Sequence, residues 1–226
     1  MPSMIVLNAK RTRKLPGVRS PKPVEARARR AIDSLMAPML ADVAARLAGL
    51  DSMTRIADVI LALREAQDVW ERVFAWKAEG LAGRWALDVD VIAKEKLGRA
   101  VGKVLGIDMA LILDSPDVAV SVRLASMEAA GLIRKIPTDY IGRVSHAVYQ
   151  SMRQQPFPEG RTLAEEIRLI GGFAEERARV IARDQTSKMN TNINQIRQTA
   201  LGIQEYIWRT SEDSRVVGAP GGKYPQ

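Results

Sequence analysis

The side chains in this sequence best suited to proton transfer or metal binding are one histidine, His146, and two carboxylate pairs, Glu165-Glu166 and Glu175-Glu176. A histidine can act as a general base or a pH switch, given an oriented acid or a nucleophile beside it. No such partner is identifiable for His146, so a partly exposed helical histidine is the expectation. Paired carboxylates can hold a divalent cation or divide acid and base work in a hydrolase. They equally suit helix N-termini, where negative charge is favoured, and Thr162-Leu163-Ala164-Glu165 has the capping-box pattern. The N-terminal role is expected for both pairs. Gly218-Ala219-Pro220-Gly221-Gly222-Lys223 offers glycines and a lysine, but no Ser or Thr follows to open a helix, as a phosphate loop needs. The absence of cysteine excludes disulfides, thiolate zinc sites and a cysteine nucleophile. The reading is therefore no catalytic residue, no metal, no cofactor and no enzyme, with a carboxylate- or metal-dependent enzyme as the weaker alternative.

Charge is the second source of chemistry. The 226 residues carry 34 Lys+Arg and 26 Asp+Glu, a formal net charge of +8. Nine of the cations lie within residues 1–30 (Lys10, Arg11, Arg13, Lys14, Arg19, Lys22, Arg27, Arg29 and Arg30), opposed only by Glu25. The remaining 196 residues are neutral, with 25 basic and 25 acidic side chains. A segment of this kind suits phosphate neutralisation without base readout, or an acidic protein surface. Pro16, Gly17, Pro21 and Pro23 predict an extended basic arm there and interrupt any amphipathic transit helix. Met4-Ile5-Val6-Leu7 is too short for a secretory core and precedes the basic residues. No apolar run approaches the ~18–20 residues of a membrane span.

Trp70, Phe74, Trp76 and Trp85 cluster in sequence; base stacking is one use for them, and core or interface packing the commoner one. Arg183, Ser187, Asn190, Asn194 and Arg197 fall on one polar line of a helix at three- and four-residue spacing. Amides and hydroxyls are poor helix formers, so intrinsic propensity would not select such a line. It reads either as a solvated face or as a hydrogen-bonded contact.

These side chains must be carried mainly by helices. Apolar residues at three- and four-residue spacing predict one over 24–49 with a kink at Pro38, and a second from Ser52 or Thr54 to Glu79, closed by Gly80 and Gly83. A third is predicted from Asp88 towards Gly106, with Val91 among its inward residues. Ser115-Pro116-Asp117 opens the next, with Val118, Val122, Leu124, Met127 and Leu132 inward. Pro137 opens a helix that ends before Pro156. A short helix from Thr162 is stopped by Gly171-Gly172, and a long one runs from Phe173 to Leu201. A strand follows over 203–210, rich in β-branched and aromatic residues. The expected architecture is mainly α: a multi-helix body over 31–170, an arm over 1–30, and a block over 171–226 with a short β element near the C-terminus.

Three stretches carry a resemblance. They are Arg177-Ala178-Arg179-Val180-Ile181-Ala182-Arg183-Asp184-Gln185-Thr186-Ser187-Lys188-Met189-Asn190, Arg197-Gln198-Thr199-Ala200-Leu201-Gly202-Ile203, and Tyr206-Ile207-Trp208-Arg209-Thr210-Ser211-Glu212-Asp213-Ser214-Arg215-Val216. Together they resemble the Mu-F-like head-morphogenesis family, minor head proteins of tailed bacteriophages. Leu132-Ile133-Arg134-Lys135-Ile136-Pro137, Tyr140 and Leu163-Ala164-Glu165-Glu166-Ile167 are similar to the family's lead-in, so the resemblance spans roughly residues 105–217. It implies a low-copy, multimeric virion protein on the portal protein or major capsid protein, in the virion head and, during assembly, the host cytoplasm. Procapsid assembly, DNA packaging or DNA delivery would be its work, with packaged double-stranded DNA as a further partner and no membrane. The implied assembly interface is Arg183, Asp184, Ser187, Asn190, Asn194, Arg197, Tyr206, Trp208, Asp213 and Arg215. The sequence departs from the family after the Asp-x-Arg-Val element, where Val217-Gly218-Ala219-Pro220 replaces the usual basic, His or Cys continuation. The alternative is a nucleic-acid-binding protein outside any virion, using the basic arm.

Overall fold

In the computed structural model the described residues are 3–8, 11–15, 19–48, 56–105, 114–203 and 205–207. Most of them are helical: α1 (Lys22–Ala48), α2 (Ile56–Leu105), α3 (Pro116–Arg134), α4 (Ile136–Met152) and α5 (Leu163–Ala200), with a single 3-10 turn at Pro158–Gly160. Backbone pairing also joins β1 (Ser3–Asn8) to β2 (Arg11–Leu15) and to β3 (Glu205–Ile207), antiparallel in the order β2-β1-β3. The protein is a mainly α, multi-helix body.

Two compact units share these helices. One comprises Lys22–Leu87 and Arg123–Thr186; the other takes the described residues of Met1–Pro21, Asp88–Val122 and Ser187–Gln226. In the first, Val24, Ile32, Met36, Met39 and Val43 form the buried stripe of α1, and Pro38 lies on its exposed side. In the second, Val89, Ala93, Leu97 and Val101 form the buried stripe of α2.

Several helix starts agree with the sequence reading. The Val118 amide lies 3.3 Å from the Ser115 hydroxyl that caps α3. At α5 the capping box closes reciprocally: Thr162 N–H donates to Glu165 at 2.7 Å, and Glu165 N–H to the Thr162 hydroxyl at 3.3 Å. Those hydrogen bonds to the charged form lower the Glu165 carboxyl below the usual range. The box therefore contributes above the ordinary carboxylate range and is lost as pH falls through the lowered value.

The expected glycine stops need correction. Gly80 and Gly83 lie inside α2, which joins two expected helices into one of 50 residues. Gly171 and Gly172 lie inside α5, which likewise absorbs the expected short helix. A helical glycine costs about 1 kcal/mol relative to alanine, and the buried residues on either side (Ala78, Ala82, Trp85 and Ala86 in α2) outweigh it. Among the described residues, the glycine that does end an α-helix is Gly202, at φ 73°. There Ile203 N–H donates to Gln198 O at 2.9 Å and Gly202 N–H to Thr199 O at 2.9 Å, a Schellman pair sealed by buried Ile203. Gly202→Ala should lower stability by about 1–2 kcal/mol, since only glycine takes this backbone region without a steric penalty; urea denaturation would read the change.

The basic arm and the boundaries also change. Lys22, Arg27, Arg29 and Arg30 sit on α1, and Arg11, Arg13 and Lys14 on β2, so these cations are not on an unstructured segment. Glu25 and the buried stripe from Val24 make residues 22–30 amphipathic enough to continue the helix, while the prolines end at position 23. The boundary expected at residue 30 falls inside α1, and that at 170 inside α5. The strand expected over 203–210 is described only at Glu205–Ile207; residues 208–210 lie outside the described residues. Val91, Leu124 and Met127 are exposed, not inward. Their helices bury Ala93, Ala125, Ala129 and Ala130 instead, and small buried side chains let helix axes approach closely.

Candidate functional site

The long helix α5 carries most of the expected interface, and the structure divides it. Arg183 and Ser187 are exposed, Asp184 is half-buried, and Asn190, Asn194 and Arg197 are buried. The division follows from the rows that face inward. Ala182, Thr186, Asn190, Asn194 and Gln198 form one row of four-residue steps, and Gln185, Met189, Ile193 and Arg197 the next. Such rows run at about 26° to the helix axis. A line drawn at three- and four-residue spacing therefore starts in solvent at Arg183 and ends inside at Arg197.

Most of the buried polar groups have a partner, Asn194 Oδ1 being an exception. The Arg197 guanidinium, with no side-chain exposure, donates to the Asp90 carboxylate at 2.7 Å and to the Asp90 carbonyl at 3.3 Å. The Asn194 amide donates to Asn190 O at 2.6 Å and lies 3.1 Å from Asn190 Oδ1. In the other unit, the Thr186 hydroxyl donates to Ala182 O at 2.6 Å and accepts the Trp85 indole N–H at 3.0 Å. Gln185 donates to Glu128 at 3.1 Å. Arg197 thus ties α5 to α2 through Asp90, Asn190 and Asn194 bond within α5, and all three are buried, while Arg183, Asp184 and Ser187 keep surface exposure. Arg183 and Asp184 are paired at 3.0 Å. Tyr206 lies on β3, and Trp208, Asp213 and Arg215 lie outside the described residues.

The aromatic cluster resolves in the same way. Trp70 donates to Asp42 at 2.7 Å, Trp85 to Thr186, and Phe74 is fully buried. Trp76 alone among these is on the surface, 74% exposed, with the Lys77 ammonium 4.0 Å from its ring centre.

Among the basic residues, Lys22 pairs with Glu25 at 2.8 Å and Arg29 with Asp33 at 3.5 Å, on adjacent turns of α1. Arg19 is exposed, and its carbonyl accepts the Lys96 ammonium at 3.2 Å. Lys10 lies outside the described residues. Three of the four paired carboxylates are occupied structurally: Glu165 in the capping box, Glu166 on Arg161 at 2.9 Å, Glu176 on Arg179 at 2.8 Å. Glu175-Glu176 sit mid-helix instead of at an N-terminus, because α5 begins ten residues earlier than the helix expected from Phe173. Among the described residues no group of three or more His, Asp or Glu could hold a metal ion. Gly218–Lys223 lie outside the described residues.

Sequence reasoning missed a trough of about 810 Å³ between α4 and the first half of α5. Ile136, Tyr140, Ala147 and Ile170 are its buried floor; Arg143, His146, Phe173 and Arg177 stand exposed at its rim. His146 is thus an exposed helical histidine, as the sequence suggested. Burial raises the Tyr140 hydroxyl from its ordinary 10.0 to about 12. The neutral phenol is favoured in the folded state, so its contribution is complete below pH 10 and lost as pH rises through 12. An alkaline absorbance titration should show one late-ionising tyrosine that Tyr140→Phe removes. The signal in the sequence was a polar edge, Asp139-Arg143-His146-Gln150, at helical spacing along α4.

The chain is similar to an uncharacterised protein of Haemophilus influenzae, 32% identical over 141 residues. That stretch is 62% of this chain and 31% of the relative, so the chain spans less than a third of the relative's length. No protein-family model matches the chain, and no solved structure matches it. Among the described residues no helix is long and apolar enough to cross a membrane.

Proposed function

We propose that this chain is a minor head protein of a tailed bacteriophage, docking on the portal protein or the capsid interior and acting in head assembly, DNA packaging or DNA delivery. The observation that carries the reading is the ordered run of residues over 177–216 that resembles the Mu-F-like head-morphogenesis family. Much of that run lies on α5, followed by the Gly202 turn and β3. In this reading the C-terminal β element supplies backbone contacts, Tyr206 and Trp208 supply aromatic ones, and Arg183, Asp184 and Ser187 supply polar ones from α5. The mechanism is binding, with no chemical step. Mass spectrometry of purified virions tests it: the chain should be present at low copy, and heads lacking it should fail to mature or to package DNA. Its absence from virions would overturn the proposal.

The basic residues at 1–30 favour a second reading, a nucleic-acid binder outside any virion. In that case, duplex binding should weaken steeply with salt. Removing Arg11, Arg13 and Lys14 should reduce the slope by about 0.9 for each phosphate that is no longer neutralised. An unchanged slope would remove these cations from the phosphate role.

A further inference from the structure

Trp76 is the ring of the aromatic cluster that no packing claims. At 74% exposure it keeps most of its surface in water, and the Lys77 ammonium stands 4.0 Å from the ring centre. Space and positive charge surround it, all within the unit made of Lys22–Leu87 and Arg123–Thr186. One turn on, Gly80 is exposed, and the Arg84 guanidinium lies over it, with Nη1 3.6 Å from where a Cβ would stand. One turn back is Arg72, which donates to the Asp68 carbonyl at 2.9 Å and has no carboxylate partner among the described residues. The positions three and four away from Trp76, its neighbours on the helix surface, hold one acid, Glu79, and Arg134 of α3 pairs with it. Around the ring stand four cations, Arg72, Lys77, Arg84 and Arg134, to that one carboxylate. Glu71 is turned away around α2, where it accepts from Gln67 and Thr138. Asp68 is about two turns back.

These features select the occupant. A lipid surface or an apolar helix would need further large apolar side chains exposed beside the ring. On α2 the flanking ones are Val69, about two turns back, and Leu87, about three turns on, with Gly80 and Gly83 between. An acidic peptide would use the cations and leave the ring uncovered. In a duplex the bases are already stacked on one another. A single strand uses both features, since each base has a face to stack on an aromatic ring and each phosphate a charge to place on a cation.

We propose that the Trp76 face of α2 binds a single-stranded nucleic acid, with one base stacked on the indole and the flanking phosphates on Arg72, Lys77 and Arg84. The proposal depends neither on the virion reading nor on the cations of residues 1–30. The probe is a fluorescein-labelled oligothymidylate of about ten nucleotides. Its control is an abasic strand of the same length and charge, so that any contribution from cations elsewhere is common to both. With the full chain, fluorescence anisotropy should show the thymidylate bound about tenfold more tightly than the abasic strand. Trp76→Ala should remove that preference with an unchanged circular dichroism spectrum and Tm, and Trp76→Phe should keep part of it. Arg84→Gln should lower the salt slope for both strands by about 0.7. Equal binding of the two strands, binding of neither, or a preference that survives Trp76→Ala would overturn the proposal. A polyglutamate peptide bound more tightly than the thymidylate would make this an acidic-protein surface instead. Anionic vesicles bound through Trp76, without any preference between the strands, would make it a lipid surface. An oligouridylate bound more tightly than the thymidylate would assign the strand to RNA, and the reverse order to DNA.

Discussion

Arg197→Ala should lower the stability of the fold by about 3 kcal/mol in urea denaturation. Breaking a buried ion pair from one side leaves the partner charge without compensation, which costs about 3–5 kcal/mol. The lower end applies because Asp90 keeps 22% of its side-chain surface in water while Arg197 keeps none. Two Asp90 acceptors, a carboxylate oxygen and a main-chain carbonyl, lose donors together. The double variant Arg197→Met/Asp90→Asn separates charge from packing. It removes the unpaired carboxylate and keeps an unbranched apolar side chain of comparable length, so it should recover much of the loss. If Arg197→Ala stayed within about 0.5 kcal/mol of the wild type, as a surface change does, the pair would have no structural weight.

Trp85→Ala should be at least as damaging, at about 3–5 kcal/mol, because it empties the volume of a large aromatic side chain that is 3% exposed. The hydrogen bond can be tested apart from the volume. The Thr186 hydroxyl links the indole N–H to the Ala182 carbonyl, accepting at 3.0 Å and donating at 2.6 Å. Thr186→Val keeps the shape but leaves a buried indole donor unanswered, costing about 1–3 kcal/mol. Trp85→Phe removes the donor itself, so combining it with Thr186→Val should cost less than the two separate losses added together. Strict additivity would mean that the two side chains do not act as a pair.

What the sequence disclosed and what it hid divide on whether the signal is local. Ser115, Thr162 with Glu165, and Gly202 act on backbone groups within five residues, and each was legible. Gly80, Gly83, Gly171 and Gly172 were misread because a glycine ends a helix only where the chain takes the left-handed conformation. Composition cannot reveal that. Val91, Leu124 and Met127 look inward by hydropathy, yet they are exposed, while the small residues Ala93, Ala125, Ala129 and Ala130 are among the buried positions of the same helices. The polar run of α5 is unusual in sequence, but nothing local to it gives its direction. Burial of Arg197 depends on Asp90, 107 positions away. The trough is assembled from two helices, each showing only half of it.

The inward face of α5 also bears on how the chain behaves before it is folded. Between Gln185 and Gln198 the buried positions are Gln185, Thr186, Met189, Asn190, Ile193, Asn194, Arg197 and Gln198, only two of which are apolar. An undocked α5 would present amides and a guanidinium where most helices present leucine and valine, and exposed apolar surface is what draws incomplete chains into aggregates. Over this stretch the newly made polypeptide offers chaperones and neighbouring chains little to hold.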